Sequence, residues 1–247
     1  MKEIVQLFGE SVARFTIPIF IENDKRGPEQ IGTGFFLNVL GELFFTTASH
    51  VVDVLIGAEK QPCIALGEQV VYLNYESIKR TKNRTTNEAD DIDIAVFKIS
   101  SGVDMFLEAL PYTIPLEKVA INLELQDIDL QLVQGFPSSK NKGKPSNAAK
   151  RHVRGVIWSY LFSFSENTDF GEFGKQQEAH YAIKWSDKIN GDAIPHPRGV
   201  SGGPYWVMPD STKPYNCYLA GVFIEYYKHK KVAFATKIEK VLQLIRL

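Results

Sequence analysis

The stretch "GVSGGP" at residues 199–204 sets one serine hydroxyl among three glycines, with a proline behind them. A serine hydroxyl is a weak nucleophile at neutral pH and gains use only when a neighbouring base takes its proton. Histidine is the usual base, and a buried carboxylate fixes its tautomer and stabilises the imidazolium. Backbone N–H groups must also face the oxyanion that forms, in a turn that glycines permit. The chemistry at stake is acyl transfer through Ser201. The plain alternative is a glycine-rich turn in which Ser201 does nothing.

Five histidines are available as the base. His152 and His180 fall inside strand-like segments, where a structural role is the ordinary one. His229 sits in "YKHKK", which reads as an exposed hairpin, and His196 in "PHP" lies on a loop close to Ser201 in sequence. His50 differs, because it ends the apolar run "LFFTTAS" where a short helix begins. Alone, a histidine there is more often structural than catalytic. For the carboxylate, "ADDIDIAVFKI" supplies Asp90, Asp91 and Asp93. Asp93 directly precedes the apolar strand and is the one drawn under cover, unless all three simply end a solvated loop.

The elements that must position these residues read mostly as strands. Segments 13–22, 30–39, 42–48, 63–75 (two short strands about Gly67), 93–99, 129–136, 151–162, 178–185, 218–227 and 231–237 are rich in β-branched and aromatic residues. Many short strands at this spacing imply an all-β sandwich or a pair of barrels. Two helices interrupt them. "SHVVDVLIG" (49–57) is short, and "KIEKVLQLIRL" (237–247) puts Ile238, Val241, Leu242 and Ile245 on one face. Polar loops are expected at 76–90, 137–150, 163–177 and 186–198.

Composition bounds the function classes. The 247 residues are 44% hydrophobic and 23% charged, an ordinary globular profile. A net charge of −1 creates no field favouring nucleic acid or an anionic membrane. The basic loop "PSSKNKGKPSNAAKR" reads as solvated surface. The start lacks the apolar core of a secretory signal, and no run reaches the roughly 18 apolar residues of a spanning helix. Two distant cysteines, Cys63 and Cys217, fit a reducing compartment, so the expected location is cytoplasmic. No metal cluster, phosphate-cradling loop or cofactor motif is found, and no cofactor is expected.

Six segments, "GTGFFLN" (32–38), "FFTTASHVV" (44–52), "DIAVFKI" (93–99), "GFP" (135–137), "GVSGGP" (199–204) and "LAGV" (219–222), stand in an order that resembles the trypsin-like serine peptidases of the chymotrypsin fold. The style is closest to their bacterial, disulfide-free branch, and the likeness spans about residues 30–225. The resemblance implies an all-β fold of two six-stranded antiparallel β-barrels with a C-terminal helix. The first barrel would cover about 13–110, the second about 125–236, with the helix at 237–247. It implies Ser201 as nucleophile, His50 as general base and acid, and Asp93 as the orienting carboxylate. The N–H groups of Gly199 and Ser201 would form the oxyanion hole. The chain order His, Asp, Ser suits this fold and neither the subtilisin nor the α/β-hydrolase order.

The departures are informative. Val51 follows His50 where the secreted enzymes carry cysteine, and Val200 precedes Ser201 where they carry aspartate. No "IVGG"-like start or C-terminal PDZ module is seen, so activation by a newly cut N-terminus is not expected. Substrate would be held by the segment before the serine and the strand after "LAGV": Pro195 near the pocket base, with Phe223, Ile224 and Glu225 on the wall. Glu225 either forms a negative rim or faces solvent. The expected function is an intracellular serine endopeptidase acting on protein or peptide substrates. A complete triad in a cytosolic protein further suggests a latent enzyme released by a regulatory protein partner, for example through a flipped peptide at Gly199. The alternatives are a catalytically silent peptidase-like binding module and an unrelated sandwich with a chance turn.

Overall fold

The computed structural model describes residues 2–22, 28–81, 91–100, 103–121, 128–141, 155–165, 168–189, 192–213 and 215–246. The first half of the chain runs α1 (Lys2–Val12), β1 (Ile17–Ile21), β2 (Glu29–Val39), β3 (Glu42–Ala48), α2 (Ser49–Ala58), β4 (Cys63–Leu66), β5 (Gln69–Tyr72), β6 (Tyr75–Arg80), β7 (Ile94–Ile99), α3 (Val103–Ala109) and β8 (Thr113–Ile114). The second half runs β9 (Leu130–Gly135), β10 (Trp158–Phe164), β11 (His180–Lys184), β12 (Lys188–Ile189), β13 (Asp192–Ala193), β14 (Pro204–Met208), β15 (Tyr218–Tyr227), β16 (Val232–Lys237) and α4 (Ile238–Arg246).

The second half closes into a six-stranded barrel in the order β10-β11-β16-β15-β14-β9. Inward-facing residues alternate with outward ones, so Val133, Tyr160, Tyr181, Trp185, Tyr205 and Phe223 fill its interior. The first half forms a sheet in the order β5-β4-β1-β2-β3-β7-β6, with β8 parallel to β2. This corrects the expectation of two closed six-stranded barrels: one barrel is closed, and its companion is a curled sheet without a closing ladder. The cause lies at Leu73 and Asn74. The two edge strands β5 and β6 are consecutive in the chain, yet only these two residues join them, with no reversing turn. At this corner the Leu73 N–H donates to Pro62 O at 2.8 Å and the Ser100 N–H to Asn74 O at 3.2 Å, so backbone groups pair elsewhere. One barrel beside a curled sheet is an arrangement compatible with a chymotrypsin-like fold.

Two register facts position the site. The β2–β3 hairpin turns on Leu40 and Gly41, whose φ values of 53° and 84° suit a two-residue type I′ loop. From that turn β3 runs directly into α2. Strand β3 pairs antiparallel with β7 so that Ala48 faces Ile94. One step further along the same register, Asp93 faces Ser49, beside the first turn of α2.

Both chain termini form helices that wedge between the halves. Phe8 and Val12 of α1, with Phe15 just after it, pack with Phe35, Ile94, Trp206, Ile238 and Val241 in one continuous core. Sequence reading passed over α1, although Ile4, Phe8, Val12 and Phe15 recur at helical spacing. On α4 the buried set is Ile238, Val241, Leu242 and Leu244, with Ile245 half-buried. Each such side chain contributes roughly 1.5–3 kcal/mol of burial free energy. The expected loop at 76–90 is strand β6 in its first five residues, and 82–90 lie outside the described residues. His152 does too.

Candidate active site

Helix α2 has no side-chain cap of its own, because its N-cap position is Ala48. Asp93 caps it from the neighbouring strand. The Ser49 N–H donates to Asp93 O at 3.1 Å, and the His50 N–H donates to Asp93 Oδ1 at 2.9 Å. The second carboxylate oxygen, Oδ2, meets His50 Nδ1 at 2.6 Å. One aspartate therefore holds both the backbone and the ring of His50. Doing so requires a φ of 53°, a left-handed conformation that aspartate tolerates better than most side chains. The side chain of Arg80 braces the same turn, donating to Ser49 Oγ, Ser49 O and Asp53 Oδ1.

The segment before Asp93 is anchored from the opposite half. His180 Nε2 meets Asp91 O at 2.7 Å, and Gln176 Nε2 donates to Asp91 Oδ2 at 2.6 Å. Lys175 Nζ donates to Asp91 O, and Thr236 Oγ1 to Ile92 O. His180 is 1% exposed, and burial lowers its pKa below the ordinary histidine value more than its hydrogen bonds to Gln176 and Asp91 raise it. This matches the structural role expected of it.

The turn carrying Ser201 is seated on β2. The Thr33 N–H donates to Ser201 O at 2.9 Å and Thr33 Oγ1 to Gly199 O at 2.8 Å, while the Phe136 N–H donates to Thr33 Oγ1 at 3.2 Å. Thr47 Oγ1 donates to Thr33 O at 2.7 Å, and Gln30 Nε2 reaches both Phe136 O and Gly199 O. Sequence reading missed Thr33, Thr47 and Gln30. The available signal was the "GTG" within β2, since a Cβ at Gly32 would lie 2.7 Å from Val51 and one at Gly34 2.4 Å from the Phe45 ring.

Gly202 is the tightest point of the turn. Its φ is 87°, and a Cβ there would sit 2.1 Å from Thr33 O and 2.2 Å from Thr47 Oγ1. Gly202→Ala is expected to cost about 3–5 kcal/mol, combining left-handed strain with a clash against backbone. That lowers Tm by roughly 10 °C in thermal unfolding. Gly41→Ala has similar φ strain but nothing within 4 Å of the added carbon, so its loss should be clearly smaller. Equal losses at the two positions would remove the clash from the account.

Around Ser201 the backbone donors alternate. Val200 donates to Pro197 O at 2.9 Å, Gly202 to Phe223 O at 2.8 Å and Gly203 to Val200 O at 2.8 Å. The N–H groups of Gly199 and Ser201 have no partner among the described residues. The Arg198 carbonyl accepts from the Ser138 N–H at 2.7 Å. The Arg198–Gly199 peptide is trans, so the Gly199 N–H points away from Ser138. No family model matches the chain, and no curated protein does.

His50, Asp93 and Ser201 line one cleft of about 500 Å³, together with Phe223, Ile224 and Glu225. Pro195 does not line it. That residue is buried, and His196, Pro197 and Arg198 take the place assigned to it by counting. Glu225 is held by Lys175 Nζ at 3.2 Å and by the Tyr227 hydroxyl at 2.8 Å, so it is neither a bare rim nor a plain solvent residue. Burial lowers the His50 pKa, but the hydrogen bond and charge of Asp93, aided by Glu225 and Asp53, outweigh it and leave the value above 6.5. With the side chain 48% exposed, solvent screens these charges. Among the described residues no helix is long and apolar enough to cross a membrane.

Proposed function

We propose that the protein is a serine endopeptidase of trypsin-like type, acting through Ser201, His50 and Asp93. The observation that carries this reading is the convergence of three features around one cleft. They are a histidine fixed at Nδ1 by a carboxylate, a serine on a glycine-framed turn, and two N–H groups, of Gly199 and Ser201, without a partner among the described residues. In this reading Asp93 keeps the imidazole proton on Nδ1, so Nε2 is free to take the Ser201 proton. Ser201 Oγ then bonds to the substrate carbonyl carbon, and the Gly199 and Ser201 N–H groups receive the oxyanion. His50 returns the proton to the leaving amine, and water attacks the acyl-enzyme by the same route reversed. The chain order His50, Asp93, Ser201 is the one expected for this fold.

A cytoplasmic setting belongs to the same proposal, supported by a content of only two cysteines, Cys63 and Cys217, both buried. A regulatory partner belongs to it as well. A partner that controls the oxyanion hole would act on the Arg198–Gly199 peptide, and switching it off must break the Ser138–Arg198 hydrogen bond. The decisive experiment is labelling of the purified protein by a fluorophosphonate probe, followed by peptide mapping. Labelling at Ser201 is expected. A folded protein that reacts nowhere would leave the cleft as a binding module and sink the peptidase reading.

A further inference from the structure

Every acid lining the cleft has a partner among the described residues: Asp93 bonds to His50, Asp53 to Arg80, Asp91 to the neutral amide of Gln176, and Glu225 to Lys175, whose side chain is only 6% exposed. Arg198 lies three residues before Ser201 and lines the same cleft, and its guanidinium has no hydrogen bond or ion pair among the described residues. Beside it, His196 Nδ1 accepts the Arg198 N–H at 3.2 Å. That bond leaves the ring proton on Nε2, a donor without a partner among the described residues. The Tyr226 ring packs edge-on against His196 at 5.7 Å and is itself tied by its hydroxyl to Asp187 Oδ1 at 3.0 Å. The imidazole is therefore oriented, and its free edge is a donor.

Both residues are exposed, so solvent hydrates these groups in the absence of a ligand. A polypeptide lying across Ser201 displaces that water, and an uncompensated guanidinium and N–H then cost binding free energy. A carboxylate supplies what both groups lack, a negative charge with several acceptor positions. A lysine or arginine side chain gives the Arg198 guanidinium no acceptor and repels it.

We infer that the cleft selects polypeptides with an acidic side chain next to the bond presented to Ser201, read by the Arg198 guanidinium and the Nε2–H of His196. The inference rests on the peptidase reading for what happens after binding, but the selection itself is a binding property. It is tested on full-length Ser201→Ala protein, which holds peptides without turning them over. Fluorescent Gly/Ala peptides carrying a single Glu, Gln, Leu or Lys are titrated by anisotropy. The Glu peptide should bind at least about ten-fold tighter than the Leu and Lys peptides. Gln should fall between, since it accepts from His196 but carries no charge. Arg198→Glu in the same background should reverse the order of Glu and Lys, and His196→Ala should weaken Glu and Gln alike. Arg198→Glu leaves the backbone bonds of residues 196–198 available, His196→Ala removes the acceptor of the Arg198 N–H, and circular dichroism checks that the barrel is intact. A Glu peptide that binds no tighter than Leu, or an order that survives Arg198→Glu, overturns the inference. Fluorophosphonate labelling of the wild-type chain is read separately. A labelled serine with no acidic preference sinks the selection alone, and an unlabelled serine with intact preference sinks the peptidase reading alone.

Discussion

Ser201→Ala is expected to remove proteolysis and probe labelling, with turnover falling by several powers of ten. Loss of a triad nucleophile leaves only what binding and the oxyanion donors supply, a small remnant over the uncatalysed rate. The fold should hardly notice. The side chain is half-buried, while the bonds that seat the turn come from backbone: Ser201 O to Thr33, Gly202 N–H to Phe223 and Gly203 N–H to Val200. Tm should therefore stay within a degree or two of wild type, in contrast to Gly202→Ala. Turnover against unfolded casein is the measurement. Wild-type-like activity in folded Ser201→Ala protein would place the nucleophile elsewhere.

Asp93→Asn should lower kcat/KM by about 10⁴-fold while the protein still folds. The amide oxygen of asparagine can still accept the His50 N–H, so the first turn of α2 keeps its cap. The amide nitrogen then faces Nδ1 and donates to it, which moves the imidazole proton to Nε2 and leaves no acceptor for the Ser201 proton. Asp93→Ala should lose the activity and, in addition, about 1 kcal/mol of stability from the missing cap. The pH profile separates this role from a structural one. Neutral His50 is the working base, so activity rises with pH as the ring loses its proton, with a midpoint above 6.5 in the wild type. In Asp93→Asn the raising contributions of Asp93 are gone while burial still lowers the value, so the midpoint of the residual activity moves down. Asp91→Asn should change little, because its side-chain oxygen can still accept from Gln176 and its carbonyl bonds are backbone. A large effect at Asp91 with none at Asp93 would contradict the register that puts Asp93 opposite Ser49.

Local pattern made several parts of this protein readable from its residues. Strand β15 is the segment 218–227 as the β-branched and aromatic run implies, and the β3–α2 junction falls at Ser49 as expected. Both depend on neighbours in the chain: alternation, glycine turns and the break in apolar period at "ASH". Ser201 stood out for the same reason, since Gly199 and Gly202 on either side hold positive φ. The resemblance to trypsin-like peptidases then put forward His50 and Asp93 as its companions.

Other features rest on partners far along the chain, which no local pattern encodes. Thr33 and Gly199 are 166 residues apart, and His180 and Asp91 are 89 apart, yet both contacts place the site. The unclosed sheet depends on where the backbone groups flanking Leu73 and Asn74 find partners, and those lie on Pro62 and Ser100. Arg198 and His196 read as ordinary loop residues until the structure matched every acid lining the cleft with a partner. Sequence carries residue type and spacing, which sufficed for most of the strands and for choosing Ser201, His50 and Asp93 as the proposed triad. Only the tertiary structure decided which hydrogen-bonding groups are already satisfied, because satisfaction is a property of pairs, and most of these pairs are distant in sequence.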